Sequence, residues 1–194
     1  MQRLGPRNEG NRVVFGRLFR RDSEAAAIAT ALYGAIVAQA RDPLLYRDYC
    51  VADTVDGRFE MVVLHTILVL DRLQEGGEAA KAAGQATFDL YCADMDRSLR
   101  ELGIGDLGVP KRMKKMTERF YGRAAAYRTA LAASDAAALS EAFERNVFNG
   151  AAPGAAALAG YAIAKYLALR AVPPEALLTG QIPFTEPRAT GVAV

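Results

Sequence analysis

The residues able to do chemistry in this chain are few, and their spacing serves it badly. Asp94 and Asp96 stand two apart, so on a helix their carboxylates leave by different faces. General acid–base work by paired carboxylates needs both on one site. Gly103, Gly105 and Gly108 are spaced GxGxxG. They follow a helical pattern and not a strand, which fails the context that a dinucleotide fingerprint requires. His65 is the one histidine, which excludes a multi-histidine metal site within one chain. Inside an apolar helix it reads as a satisfied core or groove residue. Cys50 and Cys92 lack CxxC spacing and read as free, mostly buried thiols of a reducing compartment. No GxSxG, Walker, HExxH or EF-hand pattern occurs, so no catalytic site, metal or cofactor is expected.

What the side chains do offer is charge. Lys111, Arg112, Lys114, Lys115, Arg119 and Arg123 face only Glu118 within residues 111–123, a local net of +5 in a chain whose total is +2. Exposed charge is ordinary on a helix, but one sign at this density, with few acidic partners one turn away, favours an anionic partner.

Two helices and a glycine turn must position that face. Phe88, Tyr91, Cys92, Met95, Leu99 and Leu102 fall on one apolar stripe of helical period. Gly103 and Gly105 stop that helix, and Pro110 opens the next where its missing N–H costs nothing. Val109, Met113, Met116, Phe120, Ala124, Tyr127 and Leu131 form the stripe of the second helix.

This stretch resembles a known family. The run Asp94-Met95-Asp96-Arg97-Ser98-Leu99-Arg100-Glu101-Leu102-Gly103-Ile104-Gly105-Asp106-Leu107-Gly108-Val109-Pro110-Lys111, continuing through Lys114-Lys115-Met116 to Phe120-Tyr121-Gly122-Arg123, is similar to the signature of the ubiquinol–cytochrome c chaperones. The likeness extends to Tyr33-Gly34, to Arg58-Phe59-Glu60-Met61 and, more weakly, to the helix of Tyr161, and so spans roughly residues 25–170. It implies an assembly factor that binds newly made cytochrome b for the respiratory cytochrome b–c complex. Signature and basic face together give the expected partner-binding residues: Asp94, Asp96, Arg97, Arg100, Gly105, Pro110, Lys111, Arg112, Lys114, Lys115, Arg119, Tyr121 and Arg123.

The rest of the chain predicts an all-α fold, a single compact bundle of about six to eight helices with a central apolar one. Hydrophobic content is 52%, much of it alanine, the strongest helix former. The domain is expected over 23–180, with a flexible basic segment at 1–22 and a loose tail at 181–194. In the basic segment Phe15, Arg17, Leu18, Phe19, Arg20 and Arg21 either lie at a membrane surface as an amphipathic helix or dock on the domain. Arg20-Arg21 followed by an apolar run imitates a twin-arginine signal. Asp22 and Glu24 break that pattern, and Ser23 reads as the N-cap of a core helix over 24–40. No run is long and apolar enough to span a bilayer. Residues 58–74 are apolar nearly all round and should be the central helix.

A cytoplasmic, non-enzymatic binding protein follows, in peripheral contact with the inner membrane at its cytoplasmic face. Its client should lie in an apolar groove beside the cationic helix, with Met61, Met95, Met113 and Met116 as adaptable lining or as ordinary core. One alternative is a ribosome- or nucleic-acid-surface binder using the same basic helix, without specific DNA reading. Another is a helical lipid- or quinone-binding protein, which a large continuous cavity would favour.

Overall fold

The structure is a computed structural model that describes the backbone of residues 9–184 and the side chains of residues 23–184. Among the described residues there are seven α-helices and no strand. They are α1 (Glu9–Ala40), α2 (Pro43–Arg47), α3 (Val55–Gln74), α4 (Glu78–Glu101), α5 (Val109–Ala133), α6 (Ala136–Asn146) and α7 (Gly154–Arg170). A 3-10 helix, Pro174–Thr179, follows. The all-α bundle expected from alanine content and helical stripes is what forms.

Helix α3 is the centre. Thr54 caps it by accepting the Gly57 N–H at 3.2 Å. Met61, Leu64, Ile67, Val69 and Leu73 are fully buried, and α3 packs against α1, α4, α5 and α7. An apolar surface this complete cannot face water on any side, so the other helices must surround it. His65 lies fully buried within it. Its Nδ1 is 2.7 Å from the Met61 carbonyl, which can only accept. Nδ1 therefore carries the proton, and Nε2 accepts the Tyr161 hydroxyl at 2.7 Å. Burial pushes the imidazole pKa down to about 4. This is a neutral core histidine tying α3 to α7.

Four local expectations are corrected. Ser23 is not a cap: α1 begins at Glu9 and runs through Ser23. Nothing between Arg20 and Glu24 lacks an N–H or forbids helical dihedrals, and alanines follow at once, so propensity carries the helix across. Leu102, assigned to the apolar stripe of α4, is 64% exposed because it caps that helix as the chain leaves the bundle. Cys50 is exposed, at a positive φ of 57° in the turn after α2, and Cys92 is half-buried. Residues 181–184, expected in the tail, reach the bundle instead. Ile182 and Phe184 pack on the core, and the Phe184 ring meets His65 edge-on at 5.6 Å. The side chains of Phe15, Arg17, Leu18, Phe19, Arg20 and Arg21, and residues 185–194, lie outside the described residues.

Candidate partner-binding groove and its cationic flank

The turn between α4 and α5 is built by its glycines and by one side chain. Gly103 takes φ +80°, the left-handed conformation that lets Gly103 N–H reach the Arg100 carbonyl (2.9 Å) and Ile104 N–H the Leu99 carbonyl (3.2 Å). Gly105 has no positive φ, and a Cβ there would meet open space. The conformational demand expected at both glycines thus falls on Gly103. Arg100 bridges Asp96 (2.7 Å) one turn back and Asp106 across the loop. Val109, 1% exposed, drives the chain back into the bundle.

These contacts sort the predicted partner-binding residues. Asp94 accepts the Tyr33 hydroxyl at 2.8 Å and lies 3.9 Å from Arg97, while Asp96 and Arg100 hold each other and the loop. This acidic–basic group therefore mainly fastens α4 to α1 and to the turn. Pro110, Lys111, Arg112, Lys114, Lys115 and Arg119 are exposed on the first turns of α5. Lys114 lies 4.0 Å from Glu118, whereas among the described residues Lys111, Arg112 and Lys115 form no ion pair. Arg123 is different. Its guanidinium donates twice to Glu60 of α3, at 2.8 and 2.6 Å, and both side chains are largely buried. Burial raises the Glu60 carboxyl above its ordinary range, with Arg123 pulling the other way. Arg123 is thereby placed with the scaffold and not with the exposed cations.

Beside the cationic turns α5 changes character. Phe120 is buried, and Tyr121, 58% exposed, lies edge-on to it at 5.8 Å. Phe88 of α4 completes the aromatic wall, 5.1 Å from Phe120 and 5.9 Å from Tyr121. Between this wall and α3 lies a cleft of about 430 Å³, with Leu70, Gly84 and Ala124 among its apolar lining. Gly84 sets its depth: a Cβ there would come within 3.3 Å of Leu73 Cβ, so the glycine lets α4 approach α3 closely. Gln74, Gln85 and Asp71 form the polar rim, where Arg128 neutralises Asp71 at 2.8 Å. From Lys114 to Tyr121 the helix advances about 10 Å and makes nearly two full turns, so Lys114 stands on the same face of α5 as Tyr121 of the groove.

Of the four methionines expected as groove lining or core, Met61 and Met95 are buried core, and Met113 and Met116 are half-buried against it. None lines the groove. Phe88 and Phe120 were visible in the sequence only as members of core stripes. Gly84, Gln85, Asp71 and Arg128 carried no signal, because residues from three helices make the groove and none repeats a motif.

Among the described residues no helix is long and apolar enough to cross a membrane, and no cluster of three or more His, Cys, Asp or Glu could hold a metal ion. The family model described as ubiquinol-cytochrome C chaperone matches residues 47–184. The chain belongs to the ubiquinol–cytochrome c chaperone family. The match takes in α3 to α7 and with them both the groove and the basic turns. The crystal structure of the Cbp3 homolog from Brucella abortus is similar to this chaperone-family chain at 44% identity, with a TM-score of 0.80. That likeness covers 89% of this chain and 97% of the other. No curated protein matches the chain. The family supports a role as a chaperone of respiratory-complex assembly.

Proposed function

We propose that the protein is a non-enzymatic assembly factor that holds newly made cytochrome b until its partners and haem join, promoting assembly of ubiquinol–cytochrome c reductase. The observation that carries this reading is the aromatic groove beside exposed cations in a chain of this family. A membrane subunit caught before assembly exposes apolar helix faces that aggregate in water. A cleft of about 430 Å³ does not enclose a helix, but it takes one or two of the anchors that a helix presents at i, i+3/i+4. Tyr121 and Phe88 offer rigid aromatic contact area, and the glutamines at the rim satisfy polar groups of the client. The fully buried side chains of Leu64 and Ile67 at the centre, with the cleft at the surface, favour a chaperone over a lipid or quinone carrier.

The test is genetic and spectroscopic. Deleting the gene should remove the b–c complex from difference spectra of membrane cytochromes and leave other oxidases intact. Wild type should restore it, whereas Tyr121→Glu combined with Gln85→Glu, both at exposed positions, should fold and fail to restore it. A deletion strain with a normal b–c spectrum would remove the assembly role. Full rescue by the folded double variant would remove the groove from it.

A further inference from the structure

The loop between α4 and α5 displays two leucines to solvent. Leu107 is 98% exposed and Leu102 64%, which makes this short loop the source of two of the five large apolar side chains exposed among the described residues. The exposure does not come from a slack loop. The hydrogen bonds of Gly103 and Ile104 fix its start, the Arg100–Asp106 pair braces its middle, and Gly108 N–H reaches the Gly105 carbonyl at 2.7 Å. Ile104 turns back, half-buried, and Val109 is buried, so the loop sends its other apolar residues inward and these two out.

Cations surround the pair. Residues 97–115 carry Arg97, Arg100, Lys111, Arg112, Lys114 and Lys115 against Glu101 and Asp106, a net of +4. Asp106 is engaged by Arg100, and among the described residues Lys111, Arg112 and Lys115 form no ion pair. Four of these cations sit on the first turns of α5, where the helix dipole is already positive. In water that placement is unfavourable, and a dense anionic surface relieves it. Client loops are a poor match, because the cytoplasmic loops of helical membrane subunits carry an excess of Lys and Arg. RNA phosphate matches the charge but offers no apolar layer for two leucines to enter. Anionic lipid offers both: headgroups for the cations and, just beneath, the acyl boundary.

We propose that Leu102 and Leu107, with the cationic first turns of α5, dock the protein on an anionic bilayer, the leucines entering the interfacial layer. This goes beyond the groove's role and needs no client. It is also independent of the segment before residue 23. The groove, about two turns further along α5, would then stand next to the membrane surface.

The chain has no tryptophan, so Leu107→Trp in the full-length protein places a single indole reporter at the loop tip. Vesicles of phosphatidylglycerol mixed into phosphatidylcholine should shift its emission to the blue, and brominated acyl chains should quench it. Phosphatidylcholine alone should do neither, and added salt should weaken the effect. In vesicle pelleting, Leu102→Asp with Leu107→Asp should weaken binding at least tenfold, with helical content unchanged. Lys111→Gln and Lys115→Gln should weaken it about fivefold each. An indole that keeps its aqueous emission on anionic vesicles would overturn the proposal. So would pelleting unchanged by the aspartate pair, or an aspartate pair that loses ribosome binding while keeping lipid binding.

Discussion

Replacing Arg123 with alanine separates a structural cation from the solvent-facing ones on the same helix. The Glu60 and Arg123 side chains are 10% and 11% exposed, and two charge-assisted hydrogen bonds join them. Removing the guanidinium leaves a buried carboxylate without a counter-charge, a loss of about 3–5 kcal/mol for pairs of this kind. The pH dependence follows from the carboxyl. Burial already holds Glu60 above its ordinary range against the pull of Arg123, so without Arg123 it rises further. A group whose pKa is raised by folding binds more protons folded than unfolded, and stability then falls as pH rises through that range. Urea unfolding followed by far-ultraviolet circular dichroism should therefore show a larger deficit for Arg123→Ala at neutral than at mildly acidic pH. Adding Glu60→Gln should recover part of it, because the amide carries no charge to strand. By contrast, Lys111, Arg112, Lys114 and Lys115 are exposed. Changing all four to glutamate should leave the fold as stable or steadier, by at most about 1 kcal/mol per charge. An Arg123→Ala protein within about 0.5 kcal/mol of wild type that nonetheless fails in complex assembly would refute the reasoning and return Arg123 to the binding face.

Two further outcomes are expected. Gly103→Val should destabilise by about 1–2 kcal/mol because of its φ of +80°, whereas Gly105→Val, in open space, should not change the melting temperature measurably; equal effects would show that the turn is not set at Gly103. The His65 pKa lies at about 4 against an ordinary 6.5, so the unfolded chain binds the extra proton between those values. Stability present above that window is lost as pH falls through it, by about 3 kcal/mol in all. The decline should already be measurable by urea unfolding at about pH 5, before most carboxylates titrate, and a flat profile down to there would refute a neutral His65 bonded to Tyr161.

Most helices were legible because periodicity, caps and breakers are local. Pro110 marks a helix start where the chain folds as it suggests, whereas α3 starts at Val55, one polar turn before the apolar stretch 58–74. Ser23 shows the limit, since a capping residue ends a helix only when the chain before it turns away. Arg123 shows another. Within its own helix it belongs to a run of cations, and only α3, brought alongside, supplies Glu60 at a separation of 63 residues. The groove was legible in kind, as an apolar surface beside the basic helix. Tyr121 was singled out with the basic helix, but most of the lining was not, because Gly84, Phe88 and Leu70 acquire a common purpose only when α3, α4 and α5 meet. Leu107 followed no stripe, and its meaning rests on exposure that only the folded turn reveals.

The ties around the central helix also order events during synthesis. His65 finds Tyr161 at a separation of 96 residues, Arg72 reaches the Val172 carbonyl at 100, and Gly77 N–H meets the Glu175 carboxylate at 98. Neighbouring helices such as α3 and α4 can pair as soon as they leave the ribosome. The cage around His65 cannot close until Tyr161 and Phe184 have emerged, since distant contacts wait on closure of the intervening chain. This family member would thus hold its own apolar core half-finished through much of its translation, and a truncation before α7 should yield a chain that itself needs a chaperone.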